Sequence, residues 1–163
     1  MEFKLSTLDQ LEKYTRKGDS LRVANVINSL RLSKIPREYS AQLSQICFRN
    51  GLYLESLKIL NKIIYGETSL LSPPEPNELI SYATSLVSLN MPKEARKVLK
   101  GVNKLENPEA LLIESFSHFG DWNYKKTLPI LKKFISNPRI SHYRSLVGKL
   151  NLAAAYIDVS QFN

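Results

Sequence analysis

The chain has 163 residues, 43% hydrophobic and 23% charged, which is enough for one domain with a real core and too apolar for intrinsic disorder. Its single cysteine, Cys47, excludes a disulfide framework within the chain, and it holds no run of about 18 apolar residues that could span a membrane as a helix. A net charge of +8 favours nucleic acid, acidic protein surfaces or anionic membrane as partners, and decides nothing about fold.

The opening stretch MEFKLSTLDQLEKY mixes acids and lysines and has no apolar core of a signal peptide, so a reducing, cytoplasmic location is expected. In that setting Cys47 is a small buried hydrophobe. YLESLKILNKII sets Leu54, Leu57, Leu60 and Ile64 at spacings of three and four, which predicts a helix with that stripe as its apolar face. Residues 66–77, GETSLLSPPEPN, form a long connection with an extended, proline-rich end, a docking loop being the alternative. ELISYATSLVSL and PEALLIESFSHF are again helical in period, and Pro108 falls where a first helical turn tolerates it. The closing LNLAAAYIDVSQFN puts Leu152, Ala153, Tyr156 and Ile157 on one helix face, with Ser160, Gln161 and Phe162 as a turn after it. No segment alternates as a strand would. The fold class is all-α: helices of about 10 to 15 residues joined by tight turns into hairpins.

Turn residues recur at Gly18, Gly51, Asn90, Gly120 and Ser160, at intervals of 33, 39, 30 and 40 residues. Five residues past the first three stand Val23, Ser56 and Ala95; a large aliphatic follows at Ile27, Leu60 and Leu99, and another apolar residue at Leu30, Ile63 and Val102. In the fourth unit the same triplet is Thr127, Leu131 and Phe134, displaced by two residues in GDWNYKK. Upstream of the turns, Leu43, Tyr82, Leu112 and Leu152 recur in phase, as do Tyr14, Cys47, Leu86, Phe116 and Tyr156.

This pattern resembles the tetratricopeptide (TPR) family of helix–turn–helix repeats, of about 34 residues each. Ser44, Ala83 and Ala153 take the family's small position where two helices cross, and Pro36, Pro108 and Pro138 fall near its turn proline. The family's tryptophan is missing, Cys47 replaces an aromatic, and Ile113 replaces a small residue. The resemblance implies a right-handed superhelix of about four hairpins plus a final unpaired helix, in units near 4–36, 37–70, 76–105, 106–140 and an incomplete 146–163. The physics agrees, because one hairpin cannot bury its own apolar face and must stack on the next. The missing second helix of the last unit leads to the expectation that the chain is the N-terminal part of a longer protein. A closing helix over 146–159 is the alternative.

No phosphate loop, zinc-protease helix, paired-cysteine site or nucleophile elbow is present, and His118 and His142 stand 24 residues apart with no second ligand set. A binding protein without catalysis or cofactor is therefore expected. The resemblance places partner contacts on a concave groove of first helices: Ala41, Gln45 and Arg49; Ile80, Thr84 and Ser88; Ala110, Glu114 and His118; Leu150 and Ala154. Such a groove suits an apolar or helical segment of a partner protein, or the protein's own sequence. On second helices, Lys93, Arg96, Lys97, Lys100 and Lys104, then Lys125, Lys126, Lys132 and Lys133, make a basic surface. That surface is either a solvated face or a site for acidic protein or nucleic acid, and few aromatics are interleaved to stack bases. A regulatory sensor domain attached to an effector is the third expectation, and insertion into a membrane is not expected.

Overall fold

The computed structural model describes residues 3–66 and 72–161, and those residues form an all-α structure. Among the described residues nine α-helices follow in order: α1 (Leu5–Arg16), α2 (Ser20–Ser29), α3 (Arg37–Arg49), α4 (Tyr53–Tyr65), α5 (Pro76–Ser88), α6 (Pro92–Leu99), α7 (Glu109–Gly120), α8 (Tyr124–Ile135) and α9 (His142–Gln161), with a 3-10 turn at Leu32–Lys34. Each helix packs on the next from α3 to α9, and the odd helices α1, α3, α5 and α7 also touch in sequence. The long connection of residues 66–77 is shortened at its end, since α5 already starts at Pro76, and its part at 67–71 lies outside the described residues.

Four turns share one backbone geometry. Gly18, Gly51, Asn90 and Trp122 have φ of 70°, 77°, 57° and 56°. At each, the N–H of that residue bonds back three residues and the next N–H bonds back five: Gly51 to Phe48 O (3.0 Å) and Leu52 to Cys47 O (2.9 Å), or Trp122 to Phe119 O (2.9 Å) and Asn123 to His118 O (2.8 Å). This is the left-handed helix stop that glycine and asparagine adopt at low cost. A tryptophan there is strained, and the surrounding hydrogen bonds hold it.

The fourth turn is thus centred on Trp122, not on Gly120, which is the last residue of α7. Counted from Trp122, the triplet Thr127, Leu131 and Phe134 is in phase with the other three, with no displacement. Val23, Ser56, Ala95 and Thr127 are 0% exposed, as are Ile27, Leu60, Leu99 and Leu131. The same count makes the small residue at the helix crossing Ser115, fully buried like Ser44 and Ala83, in place of Ile113.

Two other expectations change. In α4 the buried face is Ser56, Ile59, Leu60 and Ile63, while Leu54 is 56% exposed. The inner face of α9 carries Gly148, Leu152 and Ala155 rather than Ala153, Tyr156 and Ile157, which are exposed. Ser160 is no turn: α9 runs through Gln161, and the Ser160 hydroxyl donates to Ile157 O (2.7 Å). Phe162 lies outside the described residues.

The core is continuous across hairpins. One cluster joins α1 to α4 around Leu11, Ile27, Leu43 and Ile59. The second joins α4 to α7 around Leu60, Ala83, Leu99 and Ile113, and the third joins α7 to α9 around Leu112, Leu131 and Phe134. Each of α4 and α7 buries one face in each of two clusters, as stacked units require.

Polar links cross the same joints. The buried hydroxyls of Ser44 and Ser56 are 2.7 Å apart, and those of Ser56 and Ser85 are 2.8 Å apart, a seam through α3, α4 and α5. Arg37 at the start of α3 uses all of its N–H donors. Two go to the buried Glu78 carboxylate (3.0 and 2.8 Å), two to the Ser72 carbonyl and hydroxyl (2.9 and 2.6 Å), and one to Pro73 O (2.8 Å). Glu78 also accepts from the Glu75 N–H (2.7 Å), which closes the N-terminus of α5.

Candidate functional site

The odd helices α3, α5, α7 and α9 face a common cleft of about 800 Å³. Its floor is apolar, with Ile80 from α5, Leu112, Ile113 and Phe116 from α7, and Val147 from α9. Amides and hydroxyls edge it, among them Gln45, Asn77, Thr84 and Ser88. At one end Arg144 Nε donates to Glu109 Oε1 (2.8 Å), and its Nη2 meets Glu109 Oε2, so α9 is tied to α7 and the two charges neutralise each other.

Of the residues expected in a groove, Gln45, Ile80, Thr84 and Ser88 line this cleft. Ala41 is half-buried beside it and not in its lining. Arg49 turns away to Glu12 on α1 (2.7 Å), in a smaller charged cleft with Lys13, Arg16 and Lys17.

The α7 set is out of register. Ala110 is fully buried in the core, Glu114 is held by Lys104 (2.8 Å), and His118 is half-buried beside Arg96 and Glu114. The residues that answer to Ile80, Thr84 and Ser88, counted from the Trp122 turn, are Leu112, Phe116 and Gly120, and the first two do line the cleft. In the sequence it is the Thr127, Leu131 and Phe134 triplet, in phase with the other units, that points to a turn at residue 122. On α9, Leu150 is 74% exposed and Ala154 is exposed outside the lining, because no turn at Ser160 sets their register.

The basic surface divides. Lys93, Lys97 and Lys100 are exposed on or just after α6, and Lys125, Lys126, Lys132 and Lys133 are exposed on α8. Arg96 instead reaches α7, where it donates to Ser117 O (2.9 Å) and pairs with Asp121, and Lys104 is held by Glu114. Lys132 Nζ sits 5.5 Å over the ring of Tyr156 on α9. Lys62, with its Nζ 2.5 Å from Ile35 O, closes the short 3-10 turn, and burial pulls its pKa down.

Two groups bear on chemistry. Burial pushes the Cys47 thiol up to about 12, which makes it a poor nucleophile. Burial first, and the Arg96 charge second, hold His118 below its ordinary value. Among the described residues, no three His, Cys, Asp or Glu side chains gather as a metal site would need, and no helix is long and apolar enough to cross a membrane.

What fold and cleft define together is an all-α stack of hairpins with a mixed channel between its odd helices. No protein-family model matches the chain, and neither a curated protein nor a solved structure shows significant similarity to it.

Proposed function

We propose that the chain is a TPR-like helical-repeat module that holds an uncharged, extended or helical segment of a partner protein in the channel between its odd-numbered helices, and performs no chemistry. The observation that carries this reading is the channel floor, where apolar side chains of α5, α7 and α9 converge under a rim of amides and hydroxyls. Such a mixture buries the apolar face of a peptide while satisfying its backbone. The left-handed turns repeated in phase, with a small buried residue at the helix crossings, support the TPR-like part of the reading. Two charged residues at one end, Arg144 and Glu109, already satisfy each other, which disfavours an acidic tail as the occupant.

A photo-cross-linking amino acid at Thr84, inside the channel, tests this against the same group at Lys97, outside it. The expected result is a partner adduct from position 84 only, lost when Ile80→Glu is added while the helical circular dichroism persists. Equal adducts from both positions, or an adduct that survives Ile80→Glu, would refute the channel as the binding site.

A further inference from the structure

Helix α9 is apolar on two sides. Its inner face, with Gly148, Leu152 and Ala155, packs on α8 and α7. Its outer face carries a second stripe: Tyr143 (70% exposed), Leu146 (49%), Leu150 (74%), Ala153 and Ile157 (58%). The spacing is three, four, three, four. At 1.5 Å per residue the stripe runs about 21 Å along one line. None of its residues belongs to the channel lining, so the stripe stands apart from the channel reading.

The charge around this stripe is mostly positive: Asp158, beside Ile157, is the one acid of α9, and Arg144 is neutralised by Glu109. From Trp122 to Ile157 there is no Asp or Glu, and there are seven Lys and Arg. Residues 122–163 carry a net charge of +6 of the chain's +8, although they are about a quarter of its length. Lys149 is exposed on α9 between Leu146 and Leu150 in sequence, and Lys132 of α8 covers Tyr156, the neighbour of Ile157. Among the described residues, neither Lys149 nor Lys132 is in an ion pair with a carboxylate.

We propose that the outer face of α9 docks an acidic amphipathic helix of a partner protein, apolar along one seam and flanked by Glu or Asp. Two positions in each seven, with one small alanine among them, is the seam one helix offers another, and it allows close approach at Ala153. A helix that beds into a bilayer needs a wider apolar face. A nucleic acid would engage the lysines and leave the stripe wet. A second copy of this chain would set Lys132 and Lys149 against a surface of the same sign.

The probe is a fluorescein-labelled synthetic peptide of about four helical turns, with leucines at the seam and glutamates beside it, titrated with the full chain and read by anisotropy. Micromolar binding is expected, weaker by at least about tenfold in the double variant Leu150→Glu/Ile157→Glu and at salt near 0.5 M. Both substituted side chains are exposed, so circular dichroism should be unchanged. The charge-reversed Lys132→Glu/Lys149→Glu variant keeps the seam and should prefer a peptide with lysines in place of the glutamates. Equal binding by a scrambled peptide of the same composition, or by the double seam variant, would overturn the proposal. So would sedimentation as a dimer that the seam variant abolishes. Tighter binding to phosphatidylserine vesicles or to a labelled single-stranded RNA than to the acidic peptide would equally overturn it.

Discussion

Replacing Ser56 with alanine should destabilise the protein by about 1–2 kcal/mol, although alanine is the better helix former. The Ser56 hydroxyl lies 2.7 Å from Ser44 and 2.8 Å from Ser85, and all three residues are 0% exposed. Each neutral hydrogen bond contributes about 0.5–1.5 kcal/mol net, and a gain of about 0.5 kcal/mol in helix propensity offsets part of the loss. What makes the single change costly is the partner it strands. Ser85 still donates to Ser81 O (3.2 Å), whereas Ser44 loses the Ser56 hydroxyl with which it pairs in the seam. If all three serines become alanine, no buried hydroxyl remains to be satisfied, and the triple variant should lie within about 1 kcal/mol of the parent. Urea unfolding followed by circular dichroism gives each difference, and coincident tryptophan fluorescence checks that the transition is two-state. The three single variants should sum to about 3–4 kcal/mol, well beyond the triple. A triple variant that loses the full sum would show that the hydroxyls contribute independently, and the reasoning from stranded partners would be wrong.

Gly148→Ala should destabilise by about 1–3 kcal/mol, against the usual gain for this change inside a helix. A Cβ there would stand 2.7 Å from Phe134 Cδ1 and 2.9 Å from Ile135 Cγ1, where α9 meets α8; an unchanged or raised Tm would contradict that contact. His118 is held below its ordinary value of 6.5, so the unfolded chain takes up its proton first as pH falls. Stability is therefore complete above 6.5 and is lost as pH drops toward the lower folded value, and His118→Gln should flatten that part of a Tm-against-pH curve. Cys47, buried with its thiol pushed up to about 12, should resist a thiol reagent in the folded protein and react once urea unfolds it. Rapid labelling without denaturant would show that the α3–α4 interface opens locally.

The helices and their hairpin phase were legible because stacking imposes them. A small residue is needed where helices cross, and large aliphatics must fill the joints, so Ser56–Leu60–Ile63 and Ala95–Leu99–Val102 stand out by type and spacing. The cleft was legible on α5, where Asn90 marks the turn by its own tolerance of positive φ. On α7 it was not. Gly120 resembles a helix stop, but the chain turns at Trp122, a residue whose type argues against that backbone, and the two-residue error carried every groove position on α7 with it. Leu54 misled for another reason, since a leucine at helical spacing is buried only if something faces it. The pairs Arg49–Glu12, Arg96–Asp121 and Arg144–Glu109 join residues 25 to 37 apart in sequence, and no local spacing rule predicts which charges meet at that range.

Arg37 has a consequence for how this chain can vary. Its guanidinium fixes Ser72 and Pro73 to the N-terminus of α3, while Gly66 is tied to the end of α4 through Lys62 O (3.1 Å). Both ends of the connection between hairpins are thus anchored independently of what lies between them. Residues inserted into any of the four left-handed turns would break the pair of hydrogen bonds that closes it. A sequence inserted between Gly66 and Ser72 would leave both of these anchors intact, and Arg37 is the residue that such an insertion must leave in place.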